Sequence, residues 1–297
     1  MPELIKLHPG LTVVYRAEAE FWHYLAPRLG MRFPQSYFSG SDTVSGQGLV
    51  ILEDLSKGYS FGEPIEAWPA DRVRAGVEQL ALLHANTWGA TNKDFPWMDA
   101  TGGSGLHAVL LTLMSEGEWA ARFADPATRP MGIPDYLVAD RERMVRAFKT
   151  MWATHNPKFL AVAHGDPHIG NTFIDNETGL PGIIDWQSWM PNYSALHDVA
   201  YFIAGSLEIE DRRKYEVELL EHWLECLHKA GAPKFTKDDV WEDYRKHMMH
   251  GFAWCLTNPM MQPKNRIDAM SARHCAAIQD HQSLELLESL PGYVTEA

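Results

Sequence analysis

His164-Gly-Asp166-Pro-His168-Ile-Gly-Asn171 and, beginning a few residues further on, Gly182-Ile-Ile-Asp185-Trp186 interrupt a chain whose pattern is otherwise mostly helical. Two short apolar runs, FLAVAH at 159–164 and GIIDW at 182–186, read as strands. Just after them come three side chains bearing oxygen: Asp166, Asn171 and Asp185. In-line phosphoryl transfer asks for a carboxylate to orient the attacking hydroxyl and for hard oxygen ligands that hold magnesium against the phosphates. Asp166 suits the first task, Asn171 and Asp185 the second. A rival reading uses His164, Asp166 and His168, which alternate along the chain and in an extended segment would present a His-Asp-His set to the metal of a hydrolase. Pro167 and Gly170 favour a bent loop instead, and that reading leaves Asp185 idle. A plainer alternative makes Asp166 and Asn171 turn caps.

HGDPHIGN followed by IIDW resembles the signature of the aminoglycoside phosphotransferase and choline-kinase-like superfamily. The resemblance implies an α+β, protein-kinase-like two-lobed fold, with a truncated N-terminal β lobe over 1–55 and a mainly helical C-terminal lobe over 56–297. It also implies magnesium-dependent transfer of the γ-phosphate of ATP or GTP to a hydroxyl of a small molecule. Asp166 is then the catalytic-loop Asp, Asn171 and Asp185 are magnesium ligands, His164 is structural, and His168 hydrogen-bonds near the metal-binding Asp.

By the same resemblance, Leu49-Val-Ile-Leu52-Glu53-Asp54-Leu55 is similar to the family's hinge, where backbone groups around Glu53, Asp54 and Leu55 would meet the adenine. On its own the segment is a buried strand leaving a core. Lys6 resembles the strand lysine that contacts nucleotide phosphates, and Glu18 its helix partner, favoured over Glu20 by its spacing to the aromatic pair. Read without the family, both are solvated surface residues. Family members carry a phosphate-covering hairpin ahead of that lysine, whereas only five residues precede Lys6 here. The glycine pairs Gly46-Gln-Gly48 and Gly102-Gly-Ser-Gly105 fall in the wrong places to replace it. Either the start is assigned too far downstream or the small lobe is incomplete, and a catalytically silent protein that binds a nucleotide or metabolite is the reading from a different class. Asp198 resembles the acid that opens a helix beneath the catalytic loop, and the amphipathic run 211–231 is loosely similar to the ecdysteroid-kinase-like branch.

Elsewhere the pattern predicts a strand at Leu4–Leu7, a helix over Tyr15–Leu29, strands at Gln35–Gly40 and Leu49–Leu52, and a helix through Trp88 that buries Val73, Val77, Leu80, Ala81 and His84. Further helices are expected at 105–124, 134–153, 210–231, 236–257 and 264–289. Aromatics near the C-terminus read as core. Trp254 or Tyr244, facing a cleft beside Asp239 or Glu242, would instead hold an amine-bearing substrate.

A chain of 297 residues, 45% hydrophobic and 22% charged, has the composition of an ordinary globular protein. Its formal net charge of -13 repels nucleic acid and anionic lipid and suits a cationic or neutral small molecule, although acidity also serves solubility alone. Cys226, Cys255 and Cys275 form no CxxC pair, so a reducing, cytoplasmic setting is expected. No apolar run approaches the roughly 20 residues of a membrane span, and the N-terminus has no signal-peptide core.

Overall fold

The computed structural model describes residues 11–42, 47–91, 93–94, 105–125 and 129–296. Lys6, the strand expected at Leu4–Leu7, and the loop glycines Gly46, Gly102 and Gly103 lie outside the described residues. The chain enters through α1 (Leu11–Glu20), a wide π-type segment at Phe21–Leu25, and α2 (Ala26–Leu29), ended by Gly30 at φ 63°. The widened turn brings Phe21 and Trp22 inward together, at 0% and 2% exposure. Then β1 (Ser36–Asp42) and β2 (Gln47–Leu52) pair antiparallel from Ser36↔Leu52 to Asp42↔Gln47. The base of this hairpin is closed by Glu53, whose N–H donates to the Gln35 carbonyl (2.8 Å) and whose carboxylate accepts from the Gln35 N–H (3.0 Å).

A turn at Gly58 (φ 82°) leads into β3 (Tyr59–Phe61), which the sequence pattern did not announce. α3 (Ala70–Asn86) follows, and it buries the expected face, with Val73, Val77, Leu80, Ala81 and His84 all at 0% exposure. The helix expected over 105–124 is two, α4 (Gly105–Leu113) and α5 (Glu116–Phe123), and that over 134–153 is also two, α6 (Asp135–Val138) and α7 (Arg141–Ala153). Asp140 starts α7 by accepting the Arg143 N–H, an N-cap that ends the preceding turn as it opens the next.

β4 (Leu160–Ala163) leads into the loop of Asp166 and Asn171; β5 (Thr172–Asp175) and β6 (Pro181–Ile183) form a hairpin leading to Asp185; β7 (Met190–Ser194) returns to pair with β4. β3 joins β5 antiparallel, giving the order β3-β5-β6. α8 (Ala195–Ser206) runs through the centre of the large lobe with all of its residues buried. Around it pack α9 (Ile209–Lys229), α10 (Lys237–His247), a 3-10 segment at Met248–Phe252, α11 (Ala253–Leu256), α12 (Lys264–Asp280) and α13 (Ser283–Ser289). The last two divide at Gln282, which takes the left-handed conformation (φ 51°).

The small lobe is joined to the large one by aromatic contact. Phe21 stacks on Trp186 with centroids 3.7 Å apart and planes 4° from parallel, Phe33 meets both rings edge-on, and the Trp189 indole donates to the Ala17 carbonyl at 2.8 Å. Trp186 directly follows Asp185, so this seam also fixes the loop on which that acid sits. Removing the ring leaves a cavity between the lobes. Trp186→Ala is expected to lower stability by about 3–5 kcal/mol in urea unfolding, and a loss below about 1 kcal/mol would show that the stack does not hold the lobes together.

Candidate functional site

The loop after β4 is shaped by a carboxylate beneath it. Asp198 on α8, at 0% exposure, accepts from the His164 N–H (2.6 Å) and the His84 Nε2 (3.1 Å) with one oxygen, and from the Gly165 N–H (3.1 Å) with the other. Burial by itself would raise this carboxyl, but the His84 hydrogen bond and the surrounding imidazoles outweigh that and hold it below the usual range. Gly165 sits at φ 89°, where a Cβ would lie 2.3 Å from the Ser188 carbonyl, so the sharp turn requires glycine. His164 is spent inside the fold: its Nε2 donates to the Ile184 carbonyl (3.0 Å), and its Nδ1 accepts from the Asp166 N–H (3.2 Å). With both nitrogens used, it has no lone pair for a metal, which removes the His164, Asp166 and His168 hydrolase set.

Asp166 emerges from this turn with its side chain 38% exposed to the cleft, and Tyr201 of α8 donates to its Oδ1 at 2.9 Å. Its carboxyl is pushed up to about 6, chiefly by the dry surroundings, with Tyr201 and His164 pulling the other way. His168 accepts from the Gly170 N–H (3.0 Å) and keeps its Nε2 3.7 Å from Asp166 Oδ2. Burial holds its imidazole down at about 4. Asn171 donates its amide hydrogen to the Asp166 carbonyl (3.0 Å), which leaves the amide oxygen as the group free for a ligand.

Asp185 occupies the left-handed region (φ 65°, ψ 63°), a conformation that the short carboxylate tolerates better than a branched side chain would. Burial raises its carboxyl, and repulsion from Asp166 raises it further. Glu18, on α1, is raised by burial and then by Asp185, so the acid from the small lobe lies within electrostatic reach of the large-lobe pair. Asp166, Asn171 and Asp185 line a single cavity of ≈ 270 Å³, and no lysine or arginine lines it among the described residues. Below lie His197, His250 and His274, all pushed down by burial and therefore neutral at pH 7; the Tyr201 ring stacks on His274 at 4.8 Å. The acids thus face each other over an uncharged floor.

The opposite wall is apolar, formed by Leu106, Val109, Leu110 and Leu113 of α4, with Trp254 of α11 beside His168 (ring centroids 5.1 Å apart). Of the residues considered for an amine-bearing substrate, Trp254 lines the cavity. Tyr244 is fully buried elsewhere in the core, and Asp239 is occupied in the capping box of α10. Glu53, Asp54 and Leu55 lie at the end of β2 and do not line this cavity; the Asp54 carboxylate accepts from the Ser56 N–H in a local turn. Tyr201 is among the lining residues that sequence reasoning missed. Its spacing of one helical turn from Asp198, on the same inward face, was the available signal.

A bent loop and an acid after a neighbouring hairpin, set between a small sheet-bearing lobe and a helical one, define a kinase-like class of protein. The structure of Plasmodium vivax ethanolamine kinase is similar at a TM-score of 0.50 and 12% identity, covering 94% of this chain and 73% of that one, a likeness in fold. A GDP complex of an aminoglycoside 2'-phosphotransferase-IIIa mutant gives a TM-score of 0.47 at 15% identity, covering 94% of this chain and 81% of that one. Macrolide 2'-phosphotransferase type I gives 0.40 at 16%, covering 97% and 80%. No curated protein matches the chain. The sequence matches the APH phosphotransferase enzyme family over residues 5–247, and the chain belongs to that family.

Tyr201 supplies a direct check on the acid. A carboxylate takes a proton only when ionised, so with Asp166 as the base activity should fall as pH drops through its pKa. Tyr201→Phe removes a hydrogen bond that favours the ionised form. The acid limb of the kcat/KM profile should therefore move to higher pH in the variant. A limb at the same pH in both proteins would disconnect Tyr201 from the titrating group.

Proposed function

We propose that the chain transfers the γ-phosphate of ATP or GTP to a hydroxyl of a small molecule, with Asp166 as the base and Asn171 and Asp185 as magnesium ligands. The observation carrying this reading is the meeting of these three oxygen-bearing groups in one cavity that no described cationic side chain lines. The Asp185 carboxylate and the Asn171 amide oxygen are hard donors suited to a divalent ion, which when bound would neutralise phosphate charge during transfer. Asp166 accepts the hydroxyl proton as the acceptor oxygen bonds to phosphorus and the bond to the nucleoside diphosphate breaks. Residues 1–55 form the nucleotide lobe, with backbone groups at Glu53, Asp54 and Leu55 meeting the base. Lys6 reaches the phosphates and pairs with Glu18, on which no described lysine or arginine acts. Residues 56–297 carry the catalytic loop and the acceptor site, and the reaction takes place in the cytoplasm.

The acceptor is an uncharged alcohol with an apolar body. Four residues of α4, with Trp254 and Met261, form the apolar part of its wall, and Val109 and Met261 remain 47% and 49% exposed. Apart from Asp166 and Asp185, no acidic side chain lines the cavity among the described residues. An amine such as the ethanolamine of the Plasmodium enzyme would find no further carboxylate there.

Two outcomes follow. Asp166→Asn should lower kcat by roughly 100- to 10,000-fold while MgATP binding stays unchanged in calorimetric titration; turnover within tenfold of the parent protein would remove its role as base. In a panel of acceptors, alcohols with bulky apolar skeletons should be phosphorylated ahead of choline and aminoglycosides, and preference for the cationic compounds would overturn the acceptor assignment.

A further inference from the structure

Away from the cleft, Glu78 lies on α3, and His222 and Cys226 lie one turn apart on α9, the helix packed along it. His222 Nε2 is 2.9 Å from Glu78 Oε1 and 3.5 Å from Cys226 Sγ, and the three donor atoms all lie within 4.8 Å of one another. Both neighbours converge on the same ring nitrogen. A single Nε2 cannot donate to the carboxylate and accept from the thiol at once, whereas an ion between the three satisfies all of them. Metal-ligand bonds of about 2.0–2.3 Å in a tetrahedral set place donors roughly 3.3–3.7 Å apart; the two separations from His222 lie within a few tenths of an ångström of that range, and the third is at most 4.8 Å.

We propose that Glu78, His222 and Cys226 form a binding site for zinc or a similar borderline-soft divalent ion, which clamps α3 to α9. An imidazole, a thiolate and a carboxylate suit zinc and do not suit magnesium. All three side chains are half-buried, which keeps the donors together and leaves a fourth position open to water. In the metal-free protein the Cys226 thiol is raised by burial and by Glu78; on binding it releases its proton to solvent, and the two anionic ligands balance the charge of the ion. Glu78 precedes His84 by six residues on the same helix, about 9 Å along its axis at 1.5 Å per residue. The clamp therefore stiffens the helix whose His84 bonds Asp198.

Cobalt titration of the metal-free full chain tests this. A single equivalent of cobalt should give a thiolate-to-metal absorption band that zinc abolishes, and Cys226→Ser should lack the band. Ions bound near Asp166, where no cysteine lines the cavity, cannot produce it. Zinc should raise the Tm of the parent protein by several degrees and leave that of Cys226→Ser unchanged. In the parent protein itself, zinc but not magnesium should protect Cys226 from iodoacetamide, read by peptide mapping; this arm remains decisive if the variant fails to fold. Absence of the thiolate band, or alkylation of Cys226 at the same rate with and without zinc, overturns the proposal.

Discussion

The loop that presents Asp166 depends on one buried carboxylate. Asp198 gathers the N–H groups of His164 and Gly165 and the imidazole of His84, so that β4, α3 and α8 are tied at a single point. A buried charge is tolerated only when its lone pairs are used, and these are used by the backbone of the turn that presents Asp166. The helix supplying Asp198 also supplies Tyr201, which holds the Asp166 carboxyl. Positioning of the loop and orientation of its acid therefore come from adjacent turns of one central helix.

The electrostatics follow from what surrounds that helix. Histidines packed under the loop are driven neutral by burial, so they fill space without adding positive charge, and His197 donates to the Gly165 carbonyl at 3.2 Å. Asp166 and Asp185 are left facing each other, both raised, with Glu18 close enough to feel Asp185. The apolar side of the cavity that these acids share is supplied by α4.

Part of this was legible in the chain. The spacing of Val73, Val77, Leu80 and His84 gave the buried face of α3 because a helix with one inward stripe keeps a 3.6-residue period. The loop acids stood out because they follow short apolar strands inside a helical background. Periodicity failed for α8, whose residues are buried all round and so have no contrasting face. It missed β3, which is three residues long and is held by pairing with distant β5. It ran helices together at Ser115 and Gln282, where the break comes from the local backbone and not from a change in hydrophobic pattern. The α4 wall of the cavity was predicted as helix but not as part of the site, since only tertiary packing brings 106–113 opposite 166–185.

In the proposed reaction Asp185 and Asn171 hold a divalent ion against a nucleotide beside Asp166. Electron paramagnetic resonance with Mn²⁺ in place of magnesium tests it most directly. ATP should tighten Mn²⁺ binding to the parent protein, and Asp185→Asn should lose this nucleotide-dependent binding. Equal Mn²⁺ binding by the two proteins in the presence of ATP would contradict it.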